Sequence, residues 1–357
     1  MKKLTLAFAA TVATMLSVSG AASAADKTKI CFVYVGSKTD GGWTQAQDRG
    51  RQELQAHFGD KIETPYLENV PEGPDAERAI ERLARENCQM IYTTSFGFMD
   101  ATIKVAKKFP KVKFEHATGF KTAENVSTYN SRFYEGRYIL GVIAGKLSKK
   151  GEAGYIASFP IPEVVMGINA FEQGAKSVNP NFKMKVIWVN TWADPGKEAD
   201  AAKALLDQGV DILTQHTDTT APMQVAEERG IKAFGQASDM IAAGPKSQLT
   251  AIVDNWGAYY IKSTQAFLDG KWKSAQTWDG LKEGILTMAP YTNMPDDVKK
   301  LAEETEAKIK SGALHPFTGP INKQDGTPWL KAGEKADDGT LLGMNFYVEG
   351  VDDKLPK

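Results

Sequence analysis

The feature that most constrains the fold of this chain is an alternation of short apolar runs with amphipathic stretches. Residues 30–36 (ICFVYVG) form a continuous apolar run, typical of a strand that is buried on both faces. Similar runs at 62–67, 90–94, 112–117 and 126–129 alternate with stretches whose apolar residues recur at helical spacing. A succession of βα units of this kind predicts a parallel sheet and an α/β fold.

The same pattern then starts again. After a helical stretch at 133–147, strand-like runs follow at 154–157, 186–189, 212–214 and 233–235, each separated from the next by a helical stretch. The chain therefore contains two βα sets of similar size. We expect two parallel sheets rather than one.

Two later strand–helix pairs, at 249–268 and 284–310, have no partner left in the second set. The simplest arrangement is that the chain crosses back to the first set and then returns. Because ligands of such sheets bind at the carboxyl ends of strands, two facing sheets would enclose one cleft. We predict an N-terminal lobe of residues 25–129 plus 256–285 and a C-terminal lobe of residues 130–255 plus 286–357.

The first 24 residues have the composition of a secretory signal peptide. Lys2 and Lys3 precede an apolar run at 4–16, and Ala22-Ser23-Ala24 supplies a small-x-small cleavage site. The residue directly after that site is alanine and not the cysteine of a lipid anchor, and no later apolar run approaches the ~18 residues of a membrane span. We therefore expect an exported, periplasmic protein that is cleaved near Ala24 and is not anchored to the membrane.

Charge and motifs exclude several classes of function. With 43 basic and 44 acidic side chains, the net charge of −1 argues against nucleic-acid binding. The sequence has no GxSxG elbow, no GxxxxGK[ST] loop, and no GxGxxG after the first strand. Its four histidines are scattered, without the spacing of metal ligands. We expect neither an enzyme nor a cofactor.

The chain has two cysteines, Cys31 at the start of the first strand and Cys88 just before the third. In a doubly wound sheet these strands are neighbours, so the two α-carbons would lie roughly 5–6 Å apart, as a disulfide requires. An oxidising compartment permits the bond. Two buried free thiols are the alternative, since cysteine is common in protein cores.

The loops that follow the strands are rich in aromatic and uncharged polar residues. Flat aromatic rings beside hydrogen-bonding groups suit a planar, uncharged, nitrogen-rich ligand, although each aromatic residue could instead belong to the core. The candidate ligand-binding residues in these loops are Asp40, Trp43, Thr44, Phe96, Trp192, Asp218 and Asp239.

At these positions the sequence resembles the basic-membrane-protein family of ABC-transporter substrate-binding proteins, which includes purine and nucleoside binders. The resemblance covers nearly the whole chain after residue 24 and implies a type I periplasmic binding fold: two Rossmann-like domains joined by three crossovers that close on a ligand. It also implies delivery of that ligand to a membrane permease and its ATPase. The segments that carry the resemblance are Asp40-Gly41-Gly42-Trp43-Thr44, Tyr138-Ile139-Leu140-Gly141 with Ala144-Gly145, Trp192-Ala193-Asp194, Asp239, and Pro316-Phe317-Thr318-Gly319-Pro320-Ile321 with Gln324-Asp325-Gly326.

Two departures from the family pattern bear on the ligand. Trp43 and Thr44 stand where the family has phenylalanine and asparagine, and Asp254-Asn255 occupies the region of a lysine that nucleoside binders use. Both departures favour a free purine base over a nucleoside.

We therefore predict that Trp43 and either Phe96 or Trp192 stack on the base. Asp218 and Asp239 would accept hydrogen bonds from its N–H groups. Three further residues would complete the binding set, namely Thr44, Asp40 and Asp254.

Two other functions are compatible with the sequence. A sugar receptor of the same fold would also stack its ligand on tryptophan. A periplasmic enzyme acting on a carbohydrate or a purine would use Glu115 or Asp239 as a base.

Overall fold

The structure, a computed structural model, describes residues 27–356, so the predicted signal peptide lies outside the described residues. Within that range the chain forms two α/β lobes. We call them the N-lobe and the C-lobe after the sheet that each contains. No helix of residues 27–356 is long and apolar enough to cross a membrane.

The N-lobe contains a seven-stranded parallel sheet with the order β12-β6-β5-β4-β1-β2, in which β3 also pairs with β1. Its strands are β1 (Thr28–Val33), β2 (Ile62–Glu63), β3 (Tyr66–Leu67), β4 (Met90–Thr93), β5 (Lys113–Ala117), β6 (Val126–Ser131) and β12 (Gln276–Asp279). Its helices are α1 (Trp43–Phe58), α2 (Pro74–Arg85), α3 (Met99–Lys108) and α8 (Trp256–Leu268).

The C-lobe contains a six-stranded sheet with the order β13-β11-β10-β9-β7-β8, parallel except for β13. Its strands are β7 (Glu152–Ala157), β8 (Lys183–Trp188), β9 (Ile212–His216), β10 (Lys232–Gly235), β11 (Gln248–Asp254) and β13 (Leu286–Met288). Its helices are α4 (Phe133–Leu147), α5 (Pro162–Lys176), α6 (Pro195–Asp207), α7 (Ala221–Arg229), α9 (Asp296–Lys310) and α10 (Asp338–Leu342). The strands β14 (Ile321–Asn322) and β15 (Pro328–Leu330) form a separate antiparallel pair.

The chain passes between the sheets three times, after β6, after β11 and after β12. The sequence therefore predicted an α/β fold of two Rossmann-like units correctly. The assignment of every residue to one lobe or the other remains a prediction.

Helices α4 and α5 pack closely because glycines line their contact. A β-carbon on Gly141 would overlap the carbonyl oxygen of Phe171, and one on Gly174 would overlap that of Tyr138. The Tyr138–Gly141 segment, which carries part of the family resemblance, thus serves helix packing in the C-lobe.

Two strand predictions need correction. The run at 62–67 is two short strands, β2 and β3, on either side of Pro65, which has no N–H to donate to a continuous ladder. The strand β12 was missed because its sequence, QTWD, is polar and lies at the edge of the sheet, where burial does not demand an apolar run.

The two cysteines form a disulfide in the structure. Cys31 on β1 and Cys88 just before β4 have α-carbons 5.9 Å apart, and the two strands are hydrogen-bonded neighbours. Of the two alternatives left open by the sequence, the structure therefore has the disulfide and not two buried free thiols.

Candidate ligand-binding cleft

A narrow cavity lies between the lobes, at the carboxyl ends of both sheets. The space within it, counted together with the solvent at its open side, is about 340 Å³. The N-lobe contributes Val35, Trp43, Ser95, Phe96 and Thr118, and the C-lobe contributes Ile161, Glu163, Trp192, His216, Asp218 and Gln236.

Trp43 forms much of the N-lobe wall. It is the first residue of α1, its indole N–H donates to the carbonyl oxygen of Thr94 (2.7 Å), and its ring meets that of Trp256 edge-on at 5.5 Å. Phe96 lies in the short helical turn after β4 and also lines the cavity. With its N–H already bonded, Trp43 can offer a ligand only its aromatic surface.

Trp192 lines the cavity from the C-lobe. It follows β8, and its indole N–H donates across the cleft to Glu72 Oε1 (3.1 Å). Its ring packs at 5.1 Å from that of Phe159. The structure thus brings together all three aromatic residues that the sequence proposed for stacking, Trp43, Phe96 and Trp192.

Two carboxyl groups reach the cavity from the C-lobe. Asp218 follows β9, and no described residue hydrogen-bonds its carboxyl oxygens. Burial, reinforced by the negative charge of Asp40, raises the pKa of Asp218 well above its usual value. Glu163 lies in the first turn of α5, with Oε1 3.6 Å from His216 Nε2. Burial lowers the pKa of His216, which favours its neutral form.

Asp40 does not line this cavity but lines an adjoining space between the lobes, which shares Val35 and Trp192 with it. Its carboxylate accepts hydrogen bonds from the backbone N–H groups of Gly42 (2.9 Å), Thr44 (2.8 Å) and Gln45 (3.0 Å). Its acceptor capacity is therefore used to hold the first turn of α1, as a capping residue does. The side chain of Thr44 is buried behind the wall, close to Gly36, and is also absent from the lining.

Asp239 does not line this cavity. Strand β10 ends at Gly235, so the next residue, Gln236, reaches the cavity. Asp239 lies beyond it, exposed, and accepts from the backbone N–H of Ile241 (3.0 Å) and from Gln248 Nε2 (2.7 Å).

Asp254 lies at the second crossover rather than on the cavity wall. Its Oδ1 accepts from Ser131 Oγ (3.2 Å), and its carbonyl oxygen accepts from Arg49 Nη2 (2.8 Å). Burial, followed by the charge of Glu163, raises its pKa well above the usual value. Asp254 therefore joins residues of both lobes at the hinge.

Glu115, a candidate base for the enzyme hypothesis, is hydrogen-bonded to other residues of the N-lobe. Its carboxylate accepts hydrogen bonds from Tyr259 (2.7 Å), Trp272 (2.7 Å) and Ser263. It does not line the cavity. Within residues 27–356, no cluster of three or more His, Cys, Asp or Glu side chains is arranged to hold a metal ion.

The lobes touch each other around the cavity. Ser238 Oγ donates to the carbonyl oxygen of Gly42 (2.9 Å), in addition to the bond from Trp192 to Glu72. Gly42 packs so closely on the C-lobe that a β-carbon there would overlap the carbonyl oxygen of Asp218. The structure thus has its lobes closed on each other.

Seven residues of the cavity were not predicted, among them the polar C-lobe residues Glu163, His216 and Gln236. Glu163 lies on a helix, and only its position just after Pro162, in the first turn that follows a strand, marks it in the sequence. His216 is the last residue of β9, two residues beyond the predicted end of that strand, so an accurate strand end would have indicated it. Gln236 directly follows β10, whose end at 235 was predicted correctly, and its amide was overlooked beside the carboxylate of Asp239.

Two parallel-sheet lobes that are crossed three times and enclose one cavity define the type I periplasmic binding proteins. The chain belongs to the family of PnrA-like ABC transporter substrate-binding proteins, whose sequence pattern matches residues 27–316. The predicted family resemblance is therefore confirmed. Membership implies a small-molecule ligand and a transporter permease as partner, and such proteins typically act outside the cytoplasm.

Similar proteins include a purine-binding protein of Brucella abortus, 69% identical over 98% of this chain and 99% of that protein. A putative ABC transporter glucose-binding protein of Haloferax volcanii is 34% identical over 94% of this chain and 83% of its own length. A solved ABC transporter solute-binding protein from Aeropyrum pernix superposes with a TM-score of 0.71 at 18% identity, covering 88% of this chain and 95% of that one. The last comparison supports the fold alone.

Proposed function

We propose that this protein is the periplasmic receptor of an ABC importer and binds a purine base or nucleoside between its lobes. The observation that carries the proposal is a cavity with aromatic walls whose indole N–H groups are both bonded within the protein, beside the carboxyl group of Asp218, which is not. The walls can then only stack, while Asp218 and Glu163 can accept from ring N–H groups. The Brucella relative named as a purine-binding protein supports this ligand class.

The proposed stacking set is Trp43 with Phe96 or Trp192. Of the predicted carboxylates, Asp218 remains the candidate acceptor for the base, and Glu163 joins it. Asp40 and Asp254 would act indirectly, the first by holding the loop before α1 and the second by joining the lobes at the hinge. We propose that the chain is exported, is cleaved near Ala24 and acts without catalysis.

A thermal-shift panel tests the ligand class. We expect adenine, guanine or hypoxanthine to raise the melting temperature more than adenosine, guanosine or inosine at equal concentration, because Trp43 and Trp192 narrow the cavity. Glucose and ribose are the comparison ligands, since the Haloferax relative is named as glucose-binding. If nucleosides outperform bases, the base preference is wrong; if only sugars respond, the purine proposal itself is rejected.

Substitution of Trp43 tests the stacking role. Trp43→Ala should weaken binding of the best purine by roughly 1–3 kcal/mol, the usual loss for one base-stacking aromatic residue. Trp272→Ala is the matched control, because its indole N–H donates to Glu115 (2.7 Å) and its ring does not line the cavity. Equal losses at both positions in titration calorimetry would reject the assignment of Trp43.

A further inference from the structure

The side chain of Gln236 is buried and lines the cavity, and the oxygen of its amide group already accepts a hydrogen bond within the protein. Arg137, on α4 and fully buried, donates from Nη2 to Gln236 Oε1 and from Nη1 to Thr214 Oγ1 (3.1 Å). The guanidinium also lies over the rings of Phe133 and Tyr155, at 5.0 and 5.2 Å from their centroids. Arg137 is thus held in place from several sides.

The chemistry of arginine fixes which way the amide points. A guanidinium has five N–H donors and no acceptor, so only the oxygen of the Gln236 amide can face it. The NH₂ group must then point away from Arg137. No residue of the described chain accepts a hydrogen bond from Gln236 Nε2, although the side chain is only 1% exposed.

The other N–H donors of the cavity, and the hydroxyl groups of Ser95 and Thr118, are directed at protein atoms. The indole N–H groups of Trp43 and Trp192 are bonded within the protein, and the Thr118 hydroxyl donates to the carbonyl oxygen of Ala117 (2.8 Å). The Ser95 hydroxyl donates to Glu72. His216 Nε2 faces the Glu163 carboxylate. Among these lining side chains, Gln236 holds the N–H donor that has no protein partner.

We propose that Gln236 is a specificity-determining residue, which donates a hydrogen bond to an acceptor atom of the bound base, and that Arg137 is the positioning residue that keeps its NH₂ group toward the ligand. The proposal rests on the proposed function as a purine receptor. A buried donor left without a partner is unfavourable, so the site should discriminate against rings that lack an acceptor at that point. The carboxyl oxygens of Asp218 and Glu163 can accept from N–H groups, whereas Gln236 selects for a ring nitrogen or an exocyclic oxygen.

Gln236→Glu is the decisive substitution, because it keeps the oxygen that Arg137 holds and replaces the NH₂ group by a second oxygen. Titration calorimetry with adenine and hypoxanthine should show roughly 30-fold or greater loss of affinity. Gln173→Glu makes the same chemical change on α5 outside the cavity and should bind like the wild type. A Gln236→Glu variant that binds within about threefold of the wild type overturns the proposal.

Ligand analogues identify the contact. Adenine is compared with its 1-, 3- and 7-deaza analogues, and hypoxanthine with unsubstituted purine, in the wild type and in Gln236→Met. One of these replacements should weaken binding to the wild type about tenfold and leave Gln236→Met unaffected. If every replacement has the same effect on both proteins, Gln236 makes no such bond. If neither base binds the wild type at all, the proposed function fails and the donor assignment falls with it.

The positioning role of Arg137 predicts a change in selectivity. Arg137→Met lets the amide turn over, so the affinity ratio between the base and its weakened analogue should fall toward one, and Arg137→Lys should restore part of it. An unchanged ratio in a folded Arg137→Met variant removes the positioning role. If the Arg137 variants do not fold, NMR spectra of the wild type provide the test. The signals of the Gln236 side-chain amide protons are assigned by their absence from the spectrum of Gln236→Glu. These signals should shift when the base is added, and unshifted signals contradict the proposal.

Discussion

Replacing Gly42 by alanine is expected to hold the two lobes apart and to weaken purine binding by about 100-fold. The added β-carbon would overlap the carbonyl oxygen of Asp218, which belongs to the opposite lobe. Because the overlapping atom belongs to the backbone rather than to a flexible side chain, the overlap is relieved only if the lobes separate. We therefore expect the closed form to lose about 3 kcal/mol, near the upper end of the usual cost of overpacking. The same change leaves an open protein undisturbed, since the two groups meet only on closure.

Calorimetry and small-angle scattering measure this effect together. The wild type should contract at saturating ligand, and Gly42→Ala should keep a larger radius of gyration at the same ligand concentration. Gly343→Ala is the matched control, because the nearest atom to a β-carbon there is 3.6 Å away, within its own segment. Wild-type affinity in Gly42→Ala would show that the ligand does not need the closed arrangement.

Replacing Glu172 by glutamine is expected to stabilise the protein by about 3 kcal/mol at pH 7 and hardly at all near pH 4.5. Glu172 lies on α5, fully buried against Gly350, and neither carboxyl oxygen has a hydrogen-bond partner among the described residues. Burial raises its pKa to about 8; Lys176 opposes the shift and Asp352 adds to it.

The direction of this pH dependence follows from the number of protons that Glu172 binds in the folded and unfolded states. Between the unfolded pKa of about 4.5 and the folded pKa of about 8, the folded protein holds a proton that the unfolded chain releases. Rising pH therefore favours unfolding by about 1.4 kcal/mol for each pH unit in that window, and glutamine, which does not titrate, escapes this loss.

Thermal unfolding from pH 4.5 to pH 8 provides the measurement. The melting-temperature gain of Glu172→Gln should grow with pH to about 5 °C at pH 7. Glu304→Gln, an exposed position on α9, should give no such trend. A gain of equal size at every pH would mean that the buried carboxyl does not titrate as described.

Much of the fold could be predicted because burial on both faces forces apolar runs into the sequence. The run that became β1 is an example, and the proximity of Cys31 and Cys88 followed from the order of its neighbours. Strand β12 escaped because an edge strand is not required to be apolar.

The site was harder to predict because a side chain's role depends on where its strand ends and on what else competes for it. Trp43, Trp192 and Asp218 line the cavity, and each lies in or next to a loop that follows an apolar run. Asp40 also follows such a run, but the backbone N–H groups of Gly42 and of two residues in the first turn of α1 occupy its carboxylate. Arg137, in contrast, was not considered at all, because the helical pattern of α4 does not indicate that this arginine is buried beneath the cleft.

The position of β12 late in the sequence also affects how the protein folds during synthesis and how its lobes could be expressed separately. It pairs with β6 through register partners such as Gln276 and Thr128, so the first sheet gains its last strand from chain that is synthesised long after the others. At roughly 5–20 residues per second, a ribosome takes about 7–30 s to pass from residue 131 to residue 279. During that interval the growing chain has an unpaired sheet edge, and neither lobe can be obtained by cutting the gene at a single point.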